Sequence, residues 1–187
     1  MKELFDSLKI FLILTLITGI AYPLLVTGLA QAFFNDKANG SLVIQKGKII
    51  GSRLLGQNFS DPKYFTARQS ATTPAYNAAA SSGSNLGPLS EKLKANIEQK
   101  YQDLKHSGIQ NPDALLLTTS ASGLDPDISP AAAKCQAESV AEARNLPVQT
   151  VLELIQKNTK PKQFGFLGEE VVNVLLLNLD LDQSQNR

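Results

Sequence analysis

The chain has 187 residues, of which 43% are hydrophobic and 19% are charged, a length typical of one domain with at most an appendage. Its formal net charge of +1 excludes a dedicated nucleic-acid-binding protein, because such proteins carry a surplus of lysine and arginine that neutralises phosphates. The single cysteine, Cys135, and the single histidine, His106, exclude an intramolecular disulfide and metal sites built from several cysteines or histidines.

The first predicted element is an apolar helix at residues 10–34, a run without any charged side chain. As a helix it would measure roughly 37 Å at ~1.5 Å per residue, which is enough to cross a ~30 Å hydrocarbon core. We therefore predict a short cytoplasmic head at 1–9, a transmembrane anchor at 10–34 and an extracytoplasmic domain at 35–187. A cleaved signal peptide is the alternative, because Ala30-Gln31-Ala32 resembles a signal-peptidase site, although the run is longer than a usual signal core.

The charges that flank the anchor do not settle its orientation. Lys2 and Lys9 precede the anchor, whereas four basic residues follow it within residues 37–53. Counting alone would keep the domain in the cytoplasm, but long domains cross the membrane largely regardless of charge. A short head before a long apolar segment is typical of a signal-anchor, so we expect the domain outside.

Five residues inside the predicted anchor are candidates for packing against another helix. A proline in mid-span removes a helix hydrogen bond and kinks the helix. Small and hydroxyl-bearing residues at three- and four-residue spacing share one face and allow a second helix to approach closely. Such residues are also common in membrane helices generally, so both interpretations stay open. The candidates are Thr15, Thr18, Gly19, Tyr22 and Pro23.

The chain after the anchor begins with a predicted β-hairpin. β-Branched residues at 41–45 and 48–51 flank the turn Lys46-Gly47, whose glycine tolerates a positive φ. Residues 64–68 follow a turn signal and predict another short strand.

Two polar loops then stand out by composition. The first loop, residues 69–88, is rich in Ser, Thr, Ala, Asn and Gly and carries no charge, and the second loop spans residues 119–130. A flexible linker is one interpretation of the first loop. The other is a loop that docks a protein or a small polar ligand through neutral hydrogen bonds.

Helical periodicity predicts three helices in the domain. Apolar residues recur at steps of three or four over 88–106, with lysines and glutamates on the other face. Ser129-Pro130 combines a hydroxyl cap with proline at the first position and predicts a helix to about residue 144. A further helix is expected over 147–157.

Apolar runs at 114–118 and 171–181 predict two more strands, the second from its alternation of leucine with polar residues. The predicted fold is therefore α+β (α/β-like), a single soluble domain behind one N-terminal transmembrane helix.

The sequence lacks the short motifs of several enzyme classes. It contains no P-loop, no G-x-S-x-G, no H-E-x-x-H and no G-x-G-x-x-G. His106 falls in the last turn of a predicted helix, where a cation is favoured, and no nucleophile motif accompanies it. The sequence thus disfavours an autonomous enzyme, and we assign no catalytic and no metal-binding residue.

Several motifs together carry a resemblance to a known family. They read GSRLLGQ at 51–57, YFTAR at 64–68, YN at 76–77, SGSNLGP at 82–88, SGLDP at 122–126 and VNVL at 172–175. In this order, and over almost the whole chain, they resemble the C subunit of Kdp-type potassium-transporting ATPases. Gln69 stands where that family often has proline, and Asp127 where it often has histidine, so we transfer no role to either.

The resemblance implies a non-catalytic accessory subunit of an ATP-driven, high-affinity potassium import complex. Such a subunit assembles or stabilises the complex and raises the ATP affinity of the ATPase subunit. The implied partners are the pore-forming and ATP-hydrolysing subunits and the lipid bilayer, with no nucleic acid. The chain would hold no cofactor of its own, because the complex handles ATP and potassium. The implied location is the plasma (inner) membrane, with a single pass.

The predicted orientation bears on the ATP effect, and the sequence also allows an alternative function. An extracytoplasmic domain cannot touch cytoplasmic ATP, so an effect on nucleotide affinity would require coupling across the membrane. The alternative function is a membrane-anchored or secreted extracytoplasmic hydrolase or binding protein, in which Ser84, Ser122 or Ser129 would be the nucleophile.

The candidates for contact with a partner or ligand lie in or beside the two loops. Their amide, hydroxyl and charged groups suit hydrogen-bonded docking, whereas a structural role is the alternative: Gly83, Gly87 and Pro88 would shape a turn, and Asn85 would cap the next helix. The contact candidates are Gln57, Arg68, Tyr76, Asn77, Ser81, Ser84, Asn85, Ser122 and Asp125.

Overall fold

A computed structural model describes residues 1–185 and divides the chain into two compact units, Met1–Val43 and a second unit that begins at Ile44. The helices are α1 (Lys2–Leu16), α2 (Tyr22–Phe33), α3 (Asn35–Ala38), α4 (Glu91–His106), α5 (Ala114–Leu117), α6 (Pro130–Lys134), α7 (Ala137–Arg144), α8 (Val148–Asn158) and α9 (Val174–Gln185). The strands are β1 (Leu42–Gln45), β2 (Lys48–Ser52), β3 (Asp127–Ile128), β4 (Thr159–Lys160) and β5 (Val171–Asn173). This mixture of helix and strand confirms the predicted fold class.

The first unit contains one continuous helix over Lys2–Phe33, 32 residues long, apolar enough to cross a membrane and exposed along its length. A π-helical turn, Ile17–Ala21, joins α1 to α2. The N–H of Tyr22 bonds to the carbonyl of Ile17, five residues back. Pro23, which follows directly, has no N–H to continue the regular pattern. The wide turn therefore lies where proline interrupts the helical ladder.

The second unit is built around a three-stranded antiparallel sheet in the order β3-β5-β4. The central strand contributes Val172, which pairs with Ile128 on one side and Thr159 on the other. Helices α6, α8 and α9 pack against β5, and α7 packs against α8. The fully buried core side chains include Phe65, Leu116, Ile128, Val151, Ile155, Val172, Leu177 and Leu181.

The hairpin prediction is confirmed, because β1 and β2 form a two-stranded sheet. The prediction of a strand over 171–181 is right only for its first residues. Strand β5 ends at Asn173, whose side-chain oxygen accepts the N–H of Leu176 at 3.3 Å and thereby starts α9. Leu177 and Leu181, four residues apart, are both fully buried on one face of that helix.

The strand predicted at 114–118 is also wrong, because the segment forms α5. The side chain of Asp113 accepts the N–H of Leu115 at 2.9 Å, which caps a short helix in place of a strand. Only Leu116 of the run is fully buried. Sequence periodicity cannot distinguish a short apolar strand from a short buried helix. In this segment the Asp113 cap favours the helix.

Residues 64–68, a third predicted strand, are not paired with any strand. Two buried side-chain amides take the place of a neighbouring strand. Asn178 accepts the N–H of Phe65 at 2.8 Å and donates to its carbonyl at 3.0 Å. Gln136 does the same for Thr66, at 2.9 and 3.2 Å. The N–H and carbonyl groups of residues 65 and 66 are therefore hydrogen-bonded by Gln136, which precedes α7, and by Asn178 of α9, in place of a neighbouring strand.

The predicted helices are present, but two of them differ from the prediction in their bounds. Ser129 caps α6 through a 2.9 Å bond from the N–H of Ala132, but the helix expected to reach residue 144 divides into α6 and α7. Helix α8 matches its prediction. Helix α4 begins later than expected, because its cap is Ser90, so the alternative of a cap at Asn85 is wrong.

Candidate functional site

The two polar loops identified by composition lie side by side in the second unit. The hydroxyl of Ser81 donates to the carbonyl of Ser122 at 2.9 Å, and the N–H of Ser82 donates to the same carbonyl at 3.0 Å. At the other end, the N–H of Ser120 donates to the carbonyl of Gln69 at 3.2 Å. These bonds join the loops into one surface, which we call the paired loops (residues 69–83 and 119–126).

Two glycines permit this close approach. A Cβ on Gly83 would lie 2.7 Å from the carbonyl oxygen of Ala121. Gly123 has φ of +69°, and a Cβ there would lie 2.6 Å from the carbonyl oxygen of Ser82 and 2.8 Å from a methyl group of Thr72. All three distances are shorter than a Cβ atom can adopt without a shift of its neighbours. The structural role expected for Gly83 therefore applies, and Gly123 shares it.

Arg68 and Asp125 close one end of the paired loops. Their nearest side-chain atoms, Nη1 and Oδ2, are 3.5 Å apart, and Nη2 of the arginine donates to the carbonyl of Thr119 at 3.0 Å. Asp125 also accepts the N–H of Asp127 at 3.1 Å. Nε of Arg68 is buried and has no hydrogen-bond partner within residues 1–185. The pair thus holds the loops together.

Tyr76 and Asn77 shape the first loop from within. The phenol of Tyr76 donates to the carbonyl of Arg68 at 2.7 Å, and its N–H donates to the hydroxyl of Ser70 at 2.9 Å. Burial raises the pKa of Tyr76 above its ordinary value. The N–H of Asn77 donates to Thr72 at 2.9 Å, and its side chain accepts the N–H of Ala79 at 3.1 Å. Both residues bond chiefly to their own loop.

Gln57 lies beside the second loop because its sequence neighbour Gly56 bonds to that loop. Its amide donates to the carbonyl of Ile50 at 3.3 Å. The N–H of Gly56 donates to the carbonyl of Leu124 at 2.8 Å, and a Cβ on Gly56 would lie 2.6 Å from the carbonyl oxygen of Asp125. Close contact between the backbones therefore fixes the position of Gln57.

Ser84 and Asn85 differ from the other candidates. Neither side chain forms a hydrogen bond with another residue in the described part of the chain, and Asn85 is exposed with φ of +52°. The hydroxyl of Ser122, by contrast, accepts the N–H of Leu124 at 3.1 Å. Of the nine contact candidates, Ser84 and Asn85 are thus the two whose polar groups remain available to a partner.

In the first unit, Thr15 lies in α1, Thr18 and Gly19 lie in the π-helical turn, and Tyr22 and Pro23 begin α2. That these residues pack against another helix stays a prediction. Thr15 and Thr18 donate to the carbonyls of Phe11 and Leu14 at 2.8 and 2.7 Å, so their hydroxyls are satisfied inside the helix. The position of a Cβ on Gly19 would be 4.0 Å from the methyl group of Thr15. Tyr22 is exposed and Pro23 follows the π-helical turn.

Three buried polar side chains were not found from the sequence. Arg144 is almost fully buried and donates to the carbonyl of Lys63 at 2.6 Å, to Gln185 at 2.8 Å and to Asp182 at 2.8 Å. Gln136 and Asn178 hold residues 65–66 as described above. Each of these side chains bonds to residues tens of positions away in the chain, so no local sequence pattern predicts its role. A cleft of about 410 Å³ beside this segment, partly lined by Gln69, Tyr76 and Lys100, was likewise unforeseen.

One apolar helix long enough to span a membrane, with an α+β unit that presents joined polar loops, is typical of a chain that associates with others in a membrane. Within residues 1–185, no cluster of three His, Cys, Asp or Glu side chains is arranged to hold a metal. These features define the class: a chain with one candidate membrane-spanning helix and an α+β unit whose candidate site consists of hydrogen-bonding loops.

Comparison with known proteins gives the family. The family described as KdpC, the K⁺-transporting ATPase c chain, matches residues 4–183. A relative from Burkholderia orbicola, named potassium-transporting ATPase KdpC subunit, is 51% identical over 99% of this chain and 98% of its own length. Relatives of the same name from Variovorax paradoxus and Methylococcus capsulatus are 52% and 53% identical, over 95% and 94% of this chain and 94% and 95% of their own lengths. The chain belongs to the KdpC family, which confirms the resemblance.

Proposed function

We propose that this chain is a non-catalytic accessory subunit of an ATP-driven, high-affinity potassium import complex. The observation that supports this most strongly is whole-length similarity to proteins named as subunits of the potassium-transporting ATPase. The partners proposed are the pore-forming and ATP-hydrolysing subunits. We expect the chain to reside in the plasma (inner) membrane with one pass and most of its length outside the cytoplasm.

The hydrogen bonds of the loop serines favour this proposal over a hydrolase. The hydroxyl of Ser122 accepts a backbone N–H within its own loop, and the hydroxyl of Ser129 caps α6. His106 bonds through Nδ1 to the carbonyl of Gln102 in its own helix, at 2.7 Å. A serine nucleophile needs an adjacent base. Ser122, Ser129 and His106 are used in holding turns and helix ends, and the hydroxyl of Ser84 has no hydrogen-bonded base among residues 1–185.

A role in ATP affinity follows only if the chain binds two states of the pump differently. Thermodynamic linkage then requires reciprocity: if this chain tightens ATP binding, ATP tightens binding of this chain by the same factor. The hydrogen bonds that join the paired loops support such a role, because a pre-formed surface needs little further ordering when it binds.

Deletion of the chain tests the accessory role. We expect the remaining pump subunits to be produced but to lose potassium uptake at micromolar external potassium. Full uptake without the chain would contradict the proposal. A separate experiment tests on which side of the membrane the domain lies. Protease is added outside sealed vesicles of known sidedness, and cleavage of the domain shows that it faces the added protease.

The apolar helix supplies a more local test of assembly. Replacing Gly19 with leucine adds bulk on the face that also carries Thr15 and Thr18, and we expect the yield of intact complex to fall several-fold. The matched control is Gly28→Leu, which lies outside the candidate set; beyond its own helix backbone, a Cβ there meets no atom within 4 Å among residues 1–185. An equal yield of complex from the two variants would count against the Gly19 face as a packing surface.

A further inference from the structure

The turn between β4 and β5 exposes an apolar cluster. Every residue from 161 to 170, which we call the β4–β5 tip, is exposed. Phe164 is 86% exposed, Phe166 is 74% exposed and Leu167 is 48% exposed. Two aromatic rings and a leucine within four residues are an unusual group to leave in water, and contiguous exposed apolar patches mark interaction sites.

The tip has a defined conformation. Gln163 and Leu167 exchange two backbone hydrogen bonds, each 2.9 Å long, which closes the turn. At its base, β4 and β5 pair in antiparallel register, and Val172 of β5 is fully buried in the core. Gly165 and Gly168, with φ of +82° and +76°, allow the reversals. A partner would therefore meet a shape that needs little further ordering on binding.

The charges beside the tip discriminate between a lipid surface and a protein. Lys160 and Lys162 precede the aromatic residues, whereas Glu169 and Glu170 follow them. None of the four forms an ion pair with another residue in the described part of the chain. An anionic bilayer would attract the lysines and repel the glutamates. A protein pocket with acidic groups at one rim and basic groups at the other complements both pairs.

We propose that the β4–β5 tip inserts Phe164 and Phe166 into an apolar pocket of another subunit of the pump, bordered on one side by acidic and on the other by basic side chains. The proposal rests on the accessory function proposed above and assigns the contact to one surface. Buried aromatic side chains in a central pocket commonly dominate the binding energy of an interface, with charged pairs at the rim setting orientation.

Affinity purification of the assembled complex tests the proposal. A tag on the full-length chain is used to recover pump subunits identified by mass spectrometry, from cells producing wild type, the double variant Phe164→Ser/Phe166→Ser, or the control Ile49→Ser. Ile49 is a comparably exposed apolar residue elsewhere in the unit. We expect the double variant to bind its partners roughly 10- to 100-fold more weakly and the control to match wild type. Circular dichroism of the purified chains checks that all three are folded.

The outcomes separate the two proposals. If wild type recovers the pump subunits and the double variant recovers them equally well, the tip proposal is overturned and the accessory function stands. If wild type recovers no pump subunit, the accessory function itself fails. A photoreactive phenylalanine analogue in place of Phe166, with the same analogue at exposed Gln149 as control, identifies the neighbour. A cross-link to a pump subunit supports the proposal, whereas an adduct with lipid alone overturns it.

Discussion

The paired loops and the β4–β5 tip use their side chains in opposite ways. In the paired loops, glycines allow close backbone contact and most polar groups bond to one another, as Ser81 does to Ser122 at 2.9 Å. At the tip, backbone bonds close the turn while Phe164 and Phe166 project into solvent. A polar loop is therefore not necessarily a contact surface, and an exposed apolar turn is not necessarily a defect.

The largest expected effect comes from the Asn178 amide, which holds Phe65 just before the first loop. Asn178→Leu keeps the approximate shape of the side chain but leaves the N–H and carbonyl of buried Phe65 unpaired. We expect the free energy of unfolding to fall by about 2–5 kcal/mol. Chemical denaturation of the full-length chain in detergent measures this. The control is Asn96→Leu on the exposed face of α4, and equal stability of the two variants would contradict the account.

A glycine exchange compares the two regions directly. Gly123→Ala places a methyl group against Ser82 and Thr72 at a positive φ, and should cost about 2–4 kcal/mol. Gly168→Ala at the tip also has a positive φ, but apart from its chain neighbours its methyl group meets no atom of residues 1–185 within 4 Å, so it should cost only about 1 kcal/mol. Urea denaturation of both variants gives the difference. A larger loss for Gly168→Ala would reverse the comparison.

Two serines of the first loop test which side chains form hydrogen bonds within the domain. Ser81→Ala removes the bond to Ser122 and should cost about 1 kcal/mol of stability. Ser84→Ala removes a hydroxyl without a partner among residues 1–185, and should leave the melting temperature within about 1 °C of wild type. If Ser84 contacts another subunit, its alanine variant instead weakens recovery of the complex.

The smallest effect is a pH dependence at Tyr76. Burial raises the pKa of this phenol above the ordinary value of 10.0, so the folded state favours its protonated form. The stability it provides is fully present below the unfolded pKa and is lost as pH rises through the folded pKa. We expect wild type to lose stability more steeply than Tyr76→Phe as the pH rises above about 10. Parallel pH slopes for the two proteins would contradict this.

Local chemistry predicted much of the fold. The two-residue turn at Lys46-Gly47, the Ser129 cap and the apolar helix are each encoded within a few neighbouring residues, and each is present. Predictions failed where a distant residue decides: Phe65 is held by Asn178, and the alternation over 171–181 hides a helix that starts at the Asn173 cap. Tertiary context overrides a short-range pattern in such cases.

The candidate site was predictable in composition but not in detail. Two polar loops with glycines stand out in the sequence, and the structure places them together. Their pairing through Ser122 could not be read from the sequence, because the two loops are separated by α4 and α5. The exposure of Phe164 and Phe166 could not be predicted from the sequence, because large aromatic side chains are usually buried at least in part.

The most direct test of the central claim is the equilibrium dissociation constant for ATP of the other pump subunits, measured with and without this chain. We expect the chain to lower that dissociation constant by about 5- to 150-fold, the usual range of coupling between separate sites. The Phe164→Ser/Phe166→Ser variant should lose that effect at concentrations where wild type retains it. An unchanged dissociation constant on adding the wild-type chain to the other subunits would contradict the claim.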